Sequence, residues 1–249
     1  MINKINVLLA LMVVASFLLA IPLHECGHAL MASWLGDKTP RNEGRLSLSL
    51  RSHIDPVGTL MCFILAFQPG VPVGLGWGKP VKTDPWKLRF GADRGLLLVA
   101  LAGPIMSLLV GLVVSILVRF IPASFYVEPF LIRIPQFLVV FACVNICLAI
   151  FNIIPLYPLD GYQILYTLLP SRQAVQFAKS ATYGPLIILG LFFLLPFLVQ
   201  LAAPGLTDFP LFQLPRYIWL GAISLVSLAT GQSLDPTLLQ QLYLYNIPH

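Results

Sequence analysis

Ionisable side chains are scarce in this chain: Asp, Glu, Lys and Arg make up 10% of its 249 residues, against about a quarter in an ordinary soluble domain. That shortage excludes a water-soluble globule. Nucleic-acid binding is excluded as well, although the formal net charge is +5. The Lys and Arg fall in short loops between apolar runs, with no basic helix and no interleaving of aromatic with basic residues. Cysteine is also sparse. The four residues, at 26, 62, 143 and 147, lie within apolar stretches and none has a CxxC partner, which excludes the usual redox and structural-zinc patterns. They read as reduced packing residues; Cys143 and Cys147 share a helix face at i,i+4, where packing is the ordinary role. Neither an internal repeat nor a low-complexity tract is present.

What remains is apolar: 58% of the residues are hydrophobic. Several runs exceed the roughly 20 residues that cross a bilayer. The expected fold is an all-α polytopic membrane protein with five or six transmembrane helices and one membrane-embedded domain over 1–249, its core at about 7–170 and closing helices at about 183–231. The first helix is expected over 5–35, where the apolar run continues without a convincing cleavage site and so reads as a retained helix rather than a signal peptide. Further spans are expected at 95–121, 134–157, 183–203 and 216–230. The alternation Arg45-Leu46-Ser47-Leu48-Ser49-Leu50-Arg51 has period two and predicts a small β element at the membrane surface.

Charge parity bears on the segment 57–75. Both flanking loops are rich in Lys and Arg, so both are expected in the cytoplasm. The segment then enters and leaves on one side as a re-entrant hairpin, which Pro69, Gly70, Pro72 and Gly74 permit; an ordinary spanning helix with one basic loop outside is the alternative. Lys38, Arg41, Arg45 and Arg51 follow the first helix, whereas the 122–133 connection is nearly uncharged. This places the N-terminus outside, in an inner-membrane type of location.

Two charged constellations interrupt the apolar helices. His24-Glu25-Cys26-Gly27-His28 fits HExxH, in which residues i and i+4 share a helix face so that two imidazoles can reach one zinc. Glu25 is rotated by about 100° around the helix, placed to accept a proton from water and not to be a further ligand. Ionisable groups inside a membrane helix are costly and mark function by default. A catalytic zinc takes a third protein donor and keeps one position open. The best candidate is Asp160, in Asn152-Ile153-Ile154-Pro155-Leu156-Tyr157-Pro158-Leu159-Asp160-Gly161. At 1.5 Å per residue, His24 and His28 lie about 12 to 18 Å inside the helix end at Gly36, and Asp160 lies about 18 Å from Arg172 if that run is helical. The three groups can therefore meet at one depth. His53 and Asp55 are rivals for the third position, but they sit in a polar loop.

These residues resemble the site-2 protease family of intramembrane metalloproteases, in which an HExxH helix and a later helix ending in Asn-x-x-Pro-x-x-x-Leu-Asp-Gly share one zinc. The resemblance covers about residues 7–170 and implies a compact member, with no room for a PDZ or nucleotide-sensing domain. It implies zinc, one per chain, held by His24, His28 and Asp160, with Glu25 as general base. It also implies that Asn152 holds the substrate or the site, though a membrane Asn can equally hydrogen-bond between helices. Gly76, Trp77 and Gly78 fall in the loop where a substrate strand could pair with exposed backbone, and a plain tight turn fits them too. Ala102-Gly103-Pro104-Ile105-Met106-Ser107 resembles the family's Ala-Gly-Pro-x-x-Asn, with Ser107 in place of the Asn. The partners expected are transmembrane protein substrates and the lipid bilayer. The alternative reading is a non-proteolytic zinc-binding transporter or a scaffold for transmembrane helices; retention of Glu25 argues against it, and a transporter needs a continuous polar path whereas few other ionisable residues lie inside the spans.

Overall fold

The computed structural model describes residues 7–68, 73–122, 124–128, 130–207 and 209–231. Seven helices organise it: α1 (Val7–Trp34), α2 (Pro56–Ala66), α3 (Ala92–Val118), α4 (Arg133–Asn152), α5 (Asp160–Leu168), α6 (Gly184–Ala202) and α7 (Leu214–Thr230). Of these, α1, α3, α4, α6 and α7, the last with its preceding turn from Pro210, are long and apolar enough to cross a membrane. The chain is a helical membrane protein, and each long helix matches an expected span to within a few residues. Residues 5 and 6, where the first helix was expected to begin, lie outside the described residues.

Helices α1, α3 and α4 form the centre. Lipid is as apolar as leucine, so helices in a bilayer associate through close packing rather than through escape from water, and small residues mark the crossings. Gly27 of α1 meets the Ala102 carbonyl and Met106 of α3, where an added β-carbon would stand 2.8 Å from each. Gly111 of α3 meets Ile146 and the Ala142 carbonyl of α4 in the same way. Around these crossings Val13, Phe17, Val144, Leu148 and Phe151 are fully enclosed. Individual carbon contacts contribute only about 0.1–0.2 kcal/mol, but a close crossing makes dozens of them.

The expected β element at 45–51 does not form. Residues 43–46 turn, and Leu50–His53 is one turn of helix. Arg45 is buried, and its guanidinium donates to the backbone carbonyls of Ser52, Lys79 and Pro80. The alternating segment is therefore folded around an arginine and has no neighbouring strand to pair with. Extended pairing among the described residues is limited to one antiparallel bridge, Ile54 to Gly78.

Segment 57–75 is not one long helix. Asp55 caps α2 by accepting from the Val57 and Gly58 amides at 3.0 and 2.8 Å, with Pro56 in the first turn. At 11 residues, α2 is about 16 Å long, roughly half the hydrocarbon thickness. The chain then runs back along it: the Val73 amide reaches the Leu65 carbonyl, the Trp77 backbone lies against Gly58, and Gly78 pairs with Ile54. Pro69, Gly70 and Pro72 lie outside the described residues.

The 82–91 loop docks on the end of α1. The Arg89 amide donates to the Leu35 carbonyl at 2.9 Å, and the Asp84 amide donates to the buried Asp37 carboxylate at 2.7 Å. Burial alone would raise the Asp37 pKa; the hydrogen bonds from Thr39 and Asp84 outweigh it and hold the carboxyl below its usual range. Lys38 and Lys87 thus flank one end of the bundle.

Candidate metal centre

Three elements bring the charged residues together. On α1, His24 and His28 stack one turn apart. On α5, Asp160 occupies the first turn, after the Asn152–Leu159 connection has carried the chain back towards α1. Its two carboxylate oxygens lie 3.0 Å from His24 Nε2 and 3.1 Å from His28 Nε2, and the two Nε2 atoms are 3.3 Å apart. All candidate donor atoms fall within 4.8 Å of one another. His53 and Asp55 are absent from this group: Asp55 caps α2, and the buried His53 donates from Nε2 to the Ser47 carbonyl at 2.6 Å. Burial lowers the His53 pKa, which keeps that imidazole neutral.

Helix α3 supplies the surroundings of the two imidazoles. His28 Nδ1 lies 2.7 Å from the Val99 carbonyl, which can only accept, so Nδ1 carries the proton and Nε2 of the neutral ring presents a lone pair. His24 Nδ1 lies 2.9 Å from Ser107 Oγ. Ser107, noted in the sequence only as a departure from Asn, is thus the outer partner of His24. Gly103 lies between them, and a β-carbon there would fall on both Nε2 atoms. The Ala-Gly-Pro segment therefore holds a glycine because the imidazoles occupy the space of a side chain. Two Nε2 lone pairs and a carboxylate, with both outer imidazole nitrogens held, form a donor set that fits zinc.

Glu25 is buried beside this group, and its Oε2 has no hydrogen-bond partner. Gly78 covers its other oxygen: a β-carbon at 78 would stand 2.9 Å from the Glu25 carboxyl carbon. A cavity of about 380 Å³ opens onto His24, Glu25, His28 and Asp160. Its walls also include Trp77, Gly78 and Pro80, Leu96, Val99 and Ala100 of α3, and Asn152, Tyr157, Tyr162 and Gln163. Trp77, Gly78 and Asn152 therefore line the cavity. Gly76 does not; it packs between the Gly58 carbonyl and the Phe17 ring. Asn152 is buried and donates to the Leu148 carbonyl of its own helix at 2.9 Å, rather than across to another helix.

A bundle of membrane helices with a His-His-carboxylate cluster and a partnerless glutamate opening onto a cavity defines a membrane-embedded metallohydrolase. Comparison with known proteins gives the family. Residues 128–197 match the model of peptidase family M50. The chain is 31% identical over 183 residues to "Putative zinc metalloprotease YwhC" of Bacillus subtilis, covering 72% of this chain and 78% of that protein. It is 28% identical over 184 residues to "Putative zinc metalloprotease Rip2" of Mycobacterium tuberculosis, covering 73% of this chain and 66% of that protein. No solved structure gave a match. The chain belongs to peptidase family M50, the family of the site-2 proteases.

Proposed function

We propose that this chain is an intramembrane zinc protease in which His24, His28 and Asp160 hold one zinc and Glu25 is the general base. The convergence of two Nε2 atoms and one carboxylate within 4.8 Å, beside a buried glutamate oxygen with no partner, carries this reading. Bound there, zinc supplies the Lewis acidity that activates water and polarises the scissile carbonyl. Glu25 accepts the proton of the attacking water and returns it to the leaving amine. Ser107 and Val99 fix the two imidazole rings, so neither has to reorient as charge develops. Asn152, Trp77 and Gly78 are the cavity residues that meet a substrate segment, which must first unwind because an intact helix shields its own peptide groups. Membership of a family of intramembrane proteases implies membrane-protein substrates reached within the bilayer. The transporter or scaffold alternative is not favoured.

Glu25→Gln tests this reading. The amide keeps the shape but cannot take the proton, so cleavage of a co-expressed single-span substrate falls by about 10²- to 10⁴-fold while zinc content stays unchanged. Cleavage at the wild-type rate would remove Glu25 as the base.

The topology follows from the same frame. We read 57–75 as a re-entrant hairpin, supported by the short α2 and by the pairing of its flanking residues Ile54 and Gly78, and the positive loops put the opening of the site towards the cytoplasm of an inner membrane. Lys38→Cys and Lys87→Cys are then labelled from the same face; labelling from opposite faces overturns the hairpin.

A further inference from the structure

Gly78 both lines the cavity and covers the Glu25 carboxylate, so whatever holds its segment in place also bears on the base. Residues 73–80 form a strap without regular secondary structure, buried from Val73 to Gly78 and passing over the catalytic glutamate. Its far end is gathered by one side chain. Arg45 is 4% exposed, and its Nη1 donates to the carbonyls of Ser52 and of Lys79, the latter at 3.1 Å, while Nη2 donates to the Pro80 carbonyl at 3.2 Å. Beside it the Lys79 amide donates to the His53 carbonyl at 2.7 Å, and Gly78 bridges to Ile54. Glu43 lies 3.9 Å from Arg45 Nε and 3.6 Å from Lys82 Nζ, extending the same network past the strap.

A buried guanidinium bound to three backbone carbonyls is a costly arrangement that a membrane protein could avoid with an apolar residue. Its planar fork of donors is what allows one side chain to hold the Ser52 carbonyl and, at the same time, two carbonyls 34 and 35 residues away from Arg45 in sequence. We propose that Arg45 is a positioning residue for the proteolytic reaction: by clamping Lys79 and Pro80 to Ser52 it holds the Gly78 backbone against the Glu25 carboxylate and fixes the base at the cavity wall. Glu25 has a partnerless Oε2, so packing against the strap, rather than a hydrogen bond, sets its orientation. Misplacement of a catalytic group by about 1 Å is enough to cost orders of magnitude in rate.

This inference rests on the protease reading, and its test separates the two. In a background where Trp34, Trp86 and Trp219 are replaced by Phe, Trp77 is the sole tryptophan and reports on the strap, being 4% exposed in the wild-type fold. Acrylamide quenching is measured without substrate for Arg45→Met and Arg45→Lys, alongside zinc content and the kcat and KM for a single-span substrate. The expected result is that Trp77 becomes accessible to quencher, that zinc content matches the parent, and that kcat falls about 10- to 100-fold, with any rise in KM smaller than that fall. Lysine keeps the charge and three donors, but on one nitrogen, and lacks the planar fork whose separate Nη1 and Nη2 reach these carbonyls, so Arg45→Lys remains impaired. If Arg45→Met fails to fold, Arg45→Lys carries the same readouts. Trp77 shielded as in the parent, or exposed Trp77 with parental kcat, overturns the proposal. Failure of the parent itself to cut substrate counts against the protease reading, while the quenching result still decides whether Arg45 holds the strap.

Discussion

Helices α4 and α6 are equally apolar in sequence, yet over their most apolar 18 residues α4 is 78% buried inside the protein and α6 17%. Helix α4 carries Gln136, Asn145 and Asn152 on a surface enclosed by α1, α3 and α7. Helix α6 exposes Leu186, Leu194, Phe197 and Leu201. A π-helical turn at Gly190–Leu194 interrupts it, and it meets α4 through the Phe192 ring set edge-on to Phe151. In a membrane both surfaces are apolar, so the difference is one of shape and polar content rather than of hydrophobicity. The His24, Glu25 and His28 cluster sits on a tightly crossed helix, and Asp160 is brought to it by α5; the outer helix needs only to be compatible with lipid.

Glycines offer the sharpest way to break that contrast. Gly103→Ala places a methyl group on the Nε2 atoms of both His24 and His28, whereas Gly190→Ala meets nothing within 4 Å. The first is expected to abolish both zinc binding and cleavage. The second should leave them unchanged, and it gains about 1 kcal/mol of helix propensity. Equal effects in a zinc assay of the two purified variants would mean that the crossed helices are not the functional half. A smaller effect is expected from Ser107→Ala, which leaves His24 Nδ1 without its outer partner. Zinc affinity should fall by about 10- to 100-fold with the helical content intact, as measured by competition with a chelator. Unaltered affinity would make Ser107 a packing residue only.

The span positions and the three histidine-helix residues were legible because each rests on local spacing: apolar runs for the helices, i,i+4 for His24 and His28. Asp160 was legible because a carboxylate flanked by apolar runs has few other uses. Long-range features were not legible. The period-two run at 45–51 mimics a strand because Arg45 and Arg51 alternate with leucines, but Arg45 is held by carbonyls 34 and 35 residues away, which no local pattern records. Ser107 read as a lost Asn, although its hydroxyl still reaches His24. The role of Gly103 is fixed by imidazoles on another helix, and that of Gly78 by Glu25. Asn152 reads in the sequence as a contact between helices or with the substrate or site; its amide donates to its own helix, and the residue lines the cavity, where it is open to a substrate.

X-ray absorption at the zinc edge of the purified, zinc-loaded protein tests the metal centre most directly. Cys26 lies within the HExxH motif itself, but its Sγ is directed to the Leu46 carbonyl at 4.0 Å and away from the cluster. The account predicts a first shell of nitrogen and oxygen at about 2.0–2.2 Å with the multiple-scattering signature of two imidazoles, and loss of one oxygen donor in Asp160→Ala. A sulfur shell at about 2.3 Å, or a single imidazole, would contradict the assignment of His24, His28 and Asp160 as the ligands.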